Sequence, residues 1–382
     1  MKKNYFGYLL VLVVFVLGTM VSCTKEGPAG PAGKDGTNGT DGKDGTDGTA
    51  SCIECHDADM SMTTKQFQWE SSAHAAGNAL ARSSSASCAG CHSTQGFFQT
   101  DGNNPETEDQ WQGVNDPIVI NCYACHPIHE TYTAADVVNL NFSDQPNWAV
   151  THDKNVDMDL GKGNTCAHCH QSRKRTPVVD MGDLSAMYSG ISTHYGPHYS
   201  SQANLMGGFG AYELPGSATY PTGNGHLNIE NACVSCHMGY TTAAGTGGHN
   251  MHIDASRDLT MACTPCHSNG EGAPGKYEDY YHEYFATIDH DGDHPTLNTT
   301  SYYTRIGDLL TDAGVYTKVV DSVDGYPEAV HYNINRDLEI DGYHLASMFN
   351  HRYLYQDHSH GIHNPEYAKA LLKNTLETME SK

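Results

Sequence analysis

Six times in 382 residues the pattern Cys-x-x-Cys-His recurs, as Cys52-x-x-Cys55-His56, Cys88-x-x-Cys91-His92, Cys122-x-x-Cys125-His126, Cys166-x-x-Cys169-His170, Cys233-x-x-Cys236-His237 and Cys263-x-x-Cys266-His267. Two thiols at that spacing reach the two vinyl groups of one porphyrin as thioethers, and the histidine that follows falls under the iron as proximal ligand. The pattern is the c-type haem attachment signature. Zinc gives no reason for a histidine directly after every second cysteine, and a thioredoxin-like redox pair needs one unit in a βαβ setting, not six. Of 13 cysteines only Cys23 stands outside these units, which excludes an ordinary disulfide framework. The implied cofactors are six covalently attached haems c.

What the irons do depends on their second axial ligand. An iron held by two histidines has no open position and passes electrons, whereas a five-coordinate iron can bind and reduce a ligand. With 24 histidines, 18 remain after the six proximal ones, enough for every iron. Methionine ligation would raise the potentials, but none of the 13 methionines has a convincing setting, so low-potential bis-histidine haems are expected.

The elements that must position these residues leave weak signatures. The hydrophobic fraction is 38%, and the loops are rich in Gly, Ser, Asn and Asp, so short helices are expected to bracket the motifs. The reading is a mainly α fold with extensive loops and few or no strands, organised around a haem chain in residues 51–300. Residues 301–382 are expected to form a helical cap, with helices over 303–317 and 365–381; in the latter Tyr367, Leu371, Leu372, Leu376 and Met379 recur at helical spacing behind Pro365. The segment 289–294, Asp-His-Asp-Gly-Asp-His, lacks a following Glu at EF-hand spacing and reads as a solvated turn ahead of a calcium site.

The start of the chain points out of the cytoplasm. Lys2 and Lys3, an apolar run over 5–17 and small residues before Cys23 have the order of a signal peptide over 1–22. Cys23 after Ser22 resembles a bacterial lipobox, with Met20 and Val21 departing from its usual residues, and so is the expected lipidation site. Eight Gly-x-y triplets follow over 27–50, read as a spacer within 23–50, with a trimerising collagen-like stem as the alternative. The balance of 21 basic and 45 acidic residues, a net charge of −24, excludes the basic footprint of a nucleic-acid binder.

The segments Trp69 to His74, His194 to His198, His226 to His249 and Gly361 to Tyr367 resemble multihaem cytochromes c of the nitrite reductase and hydroxylamine oxidoreductase group and their tetrahaem electron-carrier relatives. Trp69-Glu70-Ser71-Ser72-Ala73-His74 is similar to that group's W-x-x-S-x-H. His194-Tyr195-Gly196-Pro197-His198 is similar to its H-x-G-P-x stretch. His226 ahead of Cys233 to Met238, then Gly247-Gly248-His249, resembles its "H … CVxCHM … GGH" block, and Gly361-Ile362-His363-Asn364-Pro365-Glu366-Tyr367 its terminal G-x-H-N-P-x-Y. The resemblance implies distal ligation by His74, His194 or His198, His226, His249 and His363. The sixth distal ligand is His129 or His152, with His282 in reserve, and His168 is badly placed for its own haem but could serve a neighbour. The C-x-x-C-K unit that marks the catalytic haem of ammonia-forming nitrite reductases is absent.

The expectation is an extracytoplasmic, lipid-anchored electron carrier at an outer membrane or cell surface. Its partners would be other redox proteins of the envelope and extracellular metal or oxide acceptors, with no nucleic acid and membrane contact through the lipid alone. The alternatives are a reductase of a nitrogen or sulfur oxyanion or hydroxylamine with one open haem, and a subunit of a conductive filament.

Overall fold

The computed structural model describes residues 56, 61–145, 149–150, 155–156, 158–173, 176–239, 248–253, 263, 266–267, 283–285, 301–323 and 326–382. The signal-like segment, Cys23, the Gly-x-y spacer, Cys52, Cys55, His152, His282 and the 289–294 turn lie outside the described residues.

Up to residue 239 the chain runs through short helices joined by irregular loops. These are α1 (Ser61–Glu70), α2 (Ala73–Ala76), α3 (Ala86–His92), α4 (Thr94–Gln99), α5 (Cys122–Cys125), α6 (Ala135–Val138), α7 (Asn164–Ala167), α8 (Gln202–Gly207) and α9 (Cys233–His237). Strands β1 (Ala149–Val150) and β2 (Asn155–Val156) pair antiparallel, as do β3 (Met187–Tyr188) and β6 (Ile340–Asp341). Helices α3, α5 and α9 contain both cysteines of a motif and α7 the first of one, since one helical turn puts positions i and i+3 on one face. Pieces this short are marginal alone, and the apolar contacts here are few: Met158, Leu160, Ala167, Ala203, Met206 and Ala232 form a small cluster.

The C-terminal part is built conventionally. Helix α10 (Tyr302–Asp312), strands β4 (Tyr316–Val323) and β5 (Tyr326–Ile334), α11 (Gly342–Asp357) and α12 (Pro365–Glu380) share one large core. That core also takes in Val179, Leu184, Ile191, Tyr195, Leu205, Tyr212 and Leu214, so packing runs across residue 300. Ser301 caps α10 by accepting from the Thr304 amide, and Asn364 caps α12 from the Tyr367 amide. The periodic Tyr367, Leu371, Leu372, Leu376 and Met379 are all buried.

The cap at 301–382 is not purely helical. Helix α10 stops at Asp312, and Gly314 at φ 74° turns the chain, so Thr317, expected in the helix, lies in an antiparallel hairpin registered Tyr316 to Ile334 and Val323 to Tyr326. The β-branched run in β4 favours a strand. Helix α11 had no visible signature because it is buried almost all round, which erases the amphipathic stripe.

Two polar side chains in α11 carry measurable consequences. Asn350 accepts from the Tyr212 amide (2.8 Å) and donates to the Tyr212 carbonyl (2.7 Å) and Thr375 Oγ1 (3.0 Å). Asn350→Ala strands both Tyr212 groups in the core and is expected to destabilise the holoprotein by about 2–4 kcal/mol in denaturant titrations.

His351 is buried, stacked on Tyr303 at 3.9 Å and edge-on to Tyr332 at 5.0 Å. Burial, then the nearby Arg352, pushes its pKa down to about 3. Between that value and about 6.5 the unfolded chain binds a proton the folded chain refuses, so stability falls as pH drops through this window, by up to roughly 1.4 kcal/mol per unit. His351→Phe is expected to flatten the acid side of the stability profile, read as melting temperature against pH.

Candidate haem-binding site

Each of the six motif histidines faces one other imidazole. The ring centres lie 6.2 Å apart in His56/His129, 6.3 Å in His92/His198, 6.3 Å in His126/His249, 6.2 Å in His170/His74, 6.2 Å in His237/His363 and 6.0 Å in His267/His226. These pairs define sites 1 to 6 in motif order, except that His74 and His226 precede their motifs. A metal–imidazole bond of about 2 Å on each side, plus about 1.1 Å from nitrogen to ring centre, puts two trans imidazoles about 6.3 Å apart. The gap in every pair is that of one metal between two rings. Among the described residues no group of three or more His, Cys, Asp or Glu converges as a metal site. Two imidazoles alone would leave a metal under-coordinated, and a macrocyclic cofactor would supply the missing donors.

The ten described motif cysteines are free thiols. They and every facing imidazole except His129 line one continuous cavity of about 2530 Å³, so at least one histidine of every site reaches it. An apolar-walled slot, unpaired thiols at C-x-x-C spacing and opposed imidazoles together fit haem c.

Local sequence explains how several rings are aimed. Ser72 caps α2 through its hydroxyl on the Ala75 amide, Gly77 closes the helix at φ 61°, and Trp69 anchors the approach by donating to the Ile120 carbonyl at 3.0 Å. His74 is thereby set in a single fixed turn. The His198 amide donates to Gln356 Oε1 on α11 (3.0 Å), and Gln202 donates to the Gln356 and Asp357 carbonyls while its Oε1 lies 3.3 Å from His170 Nδ1. Helix α11 thus braces two sites at once.

Six of the twelve facing histidines have an outer ring nitrogen beside a partner that fixes ring orientation, as metal-bound histidines usually do. His126 Nδ1 sits 3.0 Å from the Asn139 carbonyl, His237 Nδ1 3.0 Å from the Met251 carbonyl, His226 Nδ1 2.8 Å from the Ile362 carbonyl and His74 Nδ1 3.0 Å from Met251 Sδ. His363 Nδ1 meets a carboxylate, Asp357 Oδ1, at 2.7 Å.

Burial lowers the pKa of His74, His92, His126, His226 and His237, and pushes His170, His198 and His249 down to about 4. All eight are therefore neutral near pH 7, the form that binds metal. His363 departs from the rest: burial opposes its charge, yet the Asp357 carboxylate raises its pKa.

Neighbouring motifs interlock. Cys91 and Cys169 lie within hydrogen-bonding reach, and Asn103 Nδ2 donates to the His168 carbonyl (3.0 Å) and Cys169 Sγ (3.6 Å). A side chain at Gly90 would collide with Asn103 Oδ1 at 1.8 Å, so a larger residue at this motif position must displace Asn103 from these bonds. Cys166 and Cys233 are likewise in reach. Thr165 Oγ1 donates to the Asn141 carbonyl at 2.5 Å while the Asn141 amide donates to the Cys125 carbonyl at 2.8 Å, tying motif 4 to motif 3.

Of the histidines expected as second ligands, His74, His129, His226, His249 and His363 each face a motif histidine. Where sequence left His194 or His198 open, the ring opposite His92 is His198. His194 lies instead beside Thr193 Oγ1 at 3.3 Å. His168 packs against Phe97 and Phe142 at 5.9 and 5.6 Å, and its Nε2 lies 3.2 Å from the Phe142 carbonyl. Sequence reasoning missed Gln202, Met251, Asn103 and Asp357, which support ligands from remote positions and carry no motif.

No protein-family model and no curated protein matches this chain. Among solved structures, an undecaheme cytochrome from the S-layer of Carboxydothermus ferrireducens is similar at a TM-score of 0.38 and 14% identity, over 83% of this chain and 40% of that one. The chain thus spans about two-fifths of that protein's length.

Proposed function

We propose that the chain is a hexahaem c-type cytochrome that carries electrons and has no substrate-binding iron. The observation that carries this reading is the pairing of all six motif histidines with a second imidazole at metal-bridging distance. Haem bound at such sites supplies one-electron exchange between ferric and ferrous iron. The protein's part would be to anchor each ring through two thiols, hold it between two imidazoles and exclude water with apolar walls. A reductase would need at least one motif histidine without a facing imidazole.

The contacts between motifs support an order. Site 1 adjoins site 3, since His129 lies three residues after His126. Site 3 adjoins site 4 through Asn141, and site 4 adjoins site 5 through Cys166/Cys233 and through Met251, which touches both His74 and His237. Site 5 adjoins site 6 through the Ile362–His363 backbone, which contacts His226 and Asn224. Site 2 joins at site 4 through Cys91/Cys169. The path is therefore branched, with site 4 as hub and sites 1, 2 and 6 as ends.

The signal-like start, Cys23 and the spacer support export and lipid anchoring, and haem c attachment belongs outside the cytoplasm. Among the described residues no helix is long and apolar enough to cross a membrane. The acidic surface suits cationic redox partners or metal ions.

Voltammetry of the holoprotein adsorbed on an electrode tests the carrier reading. The expected result is reversible uptake of six electrons per chain with no catalytic current on adding nitrite, hydroxylamine or sulfite. A catalytic wave with any of them would overturn it in favour of an open-haem reductase.

A further inference from the structure

Among the outer nitrogens of the facing histidines, the described partners are neutral at His74, His126, His170, His226 and His237, and charged at His363. The carboxylate there is oddly placed. Asp357 is the last residue of α11, where the helix dipole disfavours negative charge, and it is 1% exposed. A buried anion at a helix C-terminus is costly unless its lone pairs are filled. They are: the Ser359 amide donates to Oδ2 at 3.0 Å, the Ser359 hydroxyl donates to Oδ2 as well, and His363 Nδ1 donates to Oδ1 at 2.7 Å. Its ion-pair partner in the structure is that imidazole. The Ser359 hydroxyl also accepts from the His363 amide at 3.2 Å, so Asp357, Ser359 and His363 form one closed knot.

A carboxylate drawing on Nδ1–H makes the opposite nitrogen a stronger donor and places negative charge beside the metal. Both effects favour the more positive ferric state over the ferrous state. Building on the cytochrome reading above, we infer that Asp357 is a potential-setting residue that holds site 5 below the potential the same ligand pair would have without it. Site 5 lies between the hub and site 6, so Asp357 makes it a less favourable stop for an electron moving between them. The residue touches the ligand and not the iron, and its role is to position and polarise His363.

Two substitutions with opposite expected signs test this by spectropotentiometric titration of the six-haem protein. Asp357→Asn keeps the shape and removes the charge, and one of the six centres is expected to shift to higher potential while the others stay within error. Ser359→Ala keeps the His363 imidazole and its bond to Asp357 but removes the hydroxyl that donates to the carboxylate and accepts from the His363 amide, leaving more of the carboxylate charge to His363, and the same centre is expected to shift to lower potential. Unchanged potentials in both variants, shifts of equal sign, or a uniform drift of all six would overturn the inference. Should Asp357→Asn fail to load haem, Ser359→Ala decides alone. A parent protein with fewer than six low-spin haems would refute the cytochrome reading, whereas six low-spin haems with unmoved potentials refute only the role of Asp357.

Discussion

Expressed without the machinery that attaches haem, the chain is expected to lose structure over residues 61–170 and 226–239 while α11 and α12 keep theirs. Cavity volume costs about 24 cal/mol per Å³ in a protein core, so leaving even a tenth of the 2530 Å³ cavity empty would cost about 6 kcal/mol. That matches or exceeds the net stability of many domains. The small cluster around Leu160 and Met206 cannot offset it, and helices of four to ten residues do not persist alone. The C-terminal core is different in kind. Tyr316, Phe349, Tyr353, Leu354, Tyr367 and Leu371 pack against one another away from the motifs and are almost fully buried. Hydrogen exchange of the haem-free chain is the measurement. Protection confined to the C-terminal core is expected, and cooperative protection across 61–170 would show that the haems are not needed to fold it.

The second large effect concerns one ligand. His198→Ala removes the imidazole opposite His92 and is expected to turn one of six low-spin centres high-spin, with carbon monoxide uptake by the reduced protein rising from none to one equivalent per chain. His194→Ala, four residues earlier, is expected to leave all six low-spin and to bind none. The two rings differ in the structure: His198 is 6.3 Å from His92 and anchored by Gln356, while His194 lies beside Thr193. Carbon monoxide uptake by His194→Ala and not by His198→Ala would reverse the assignment.

Much of the site was legible because covalent haem attachment needs a contiguous signature. Cys88, Cys91 and His92 must adjoin in sequence as well as in space, so they can be read without a fold. The facing histidines are less legible. His74 lies 96 positions before His170, and His363 lies 126 after His237. Short motifs flag such residues as candidates, but which iron they reach is settled by the path of the loops. At His194 and His198 the local motif offers two rings, and Gln356, 158 residues downstream, favours one. Supports such as Gln202, Met251 and Asp357 have no periodicity or spacing to betray them.

The fold divides the same way. Helix α12 was readable from Pro365 and its apolar stripe, because one face packs and the other meets water. Helix α11 was not, since it is packed on nearly every side. The hairpin β4–β5 was read in part as helix because Tyr303 to Leu310 has helical periodicity and nothing but Gly314 marks its end.

The central claim is that six haems are each held by two imidazoles. The most direct test is electron paramagnetic resonance of the oxidised holoprotein, with haem counted by mass and by pyridine haemochrome. Six haems per chain, all low-spin, are expected. The ring planes cross at 24°, 33° and 38° in sites 3, 1 and 5 and at 75°, 77° and 88° in sites 4, 2 and 6. Near-parallel and near-perpendicular axial imidazoles give distinct low-spin signals, so two classes of comparable intensity are expected. A high-spin signal amounting to one haem per chain, or a count below six, would contradict the claim.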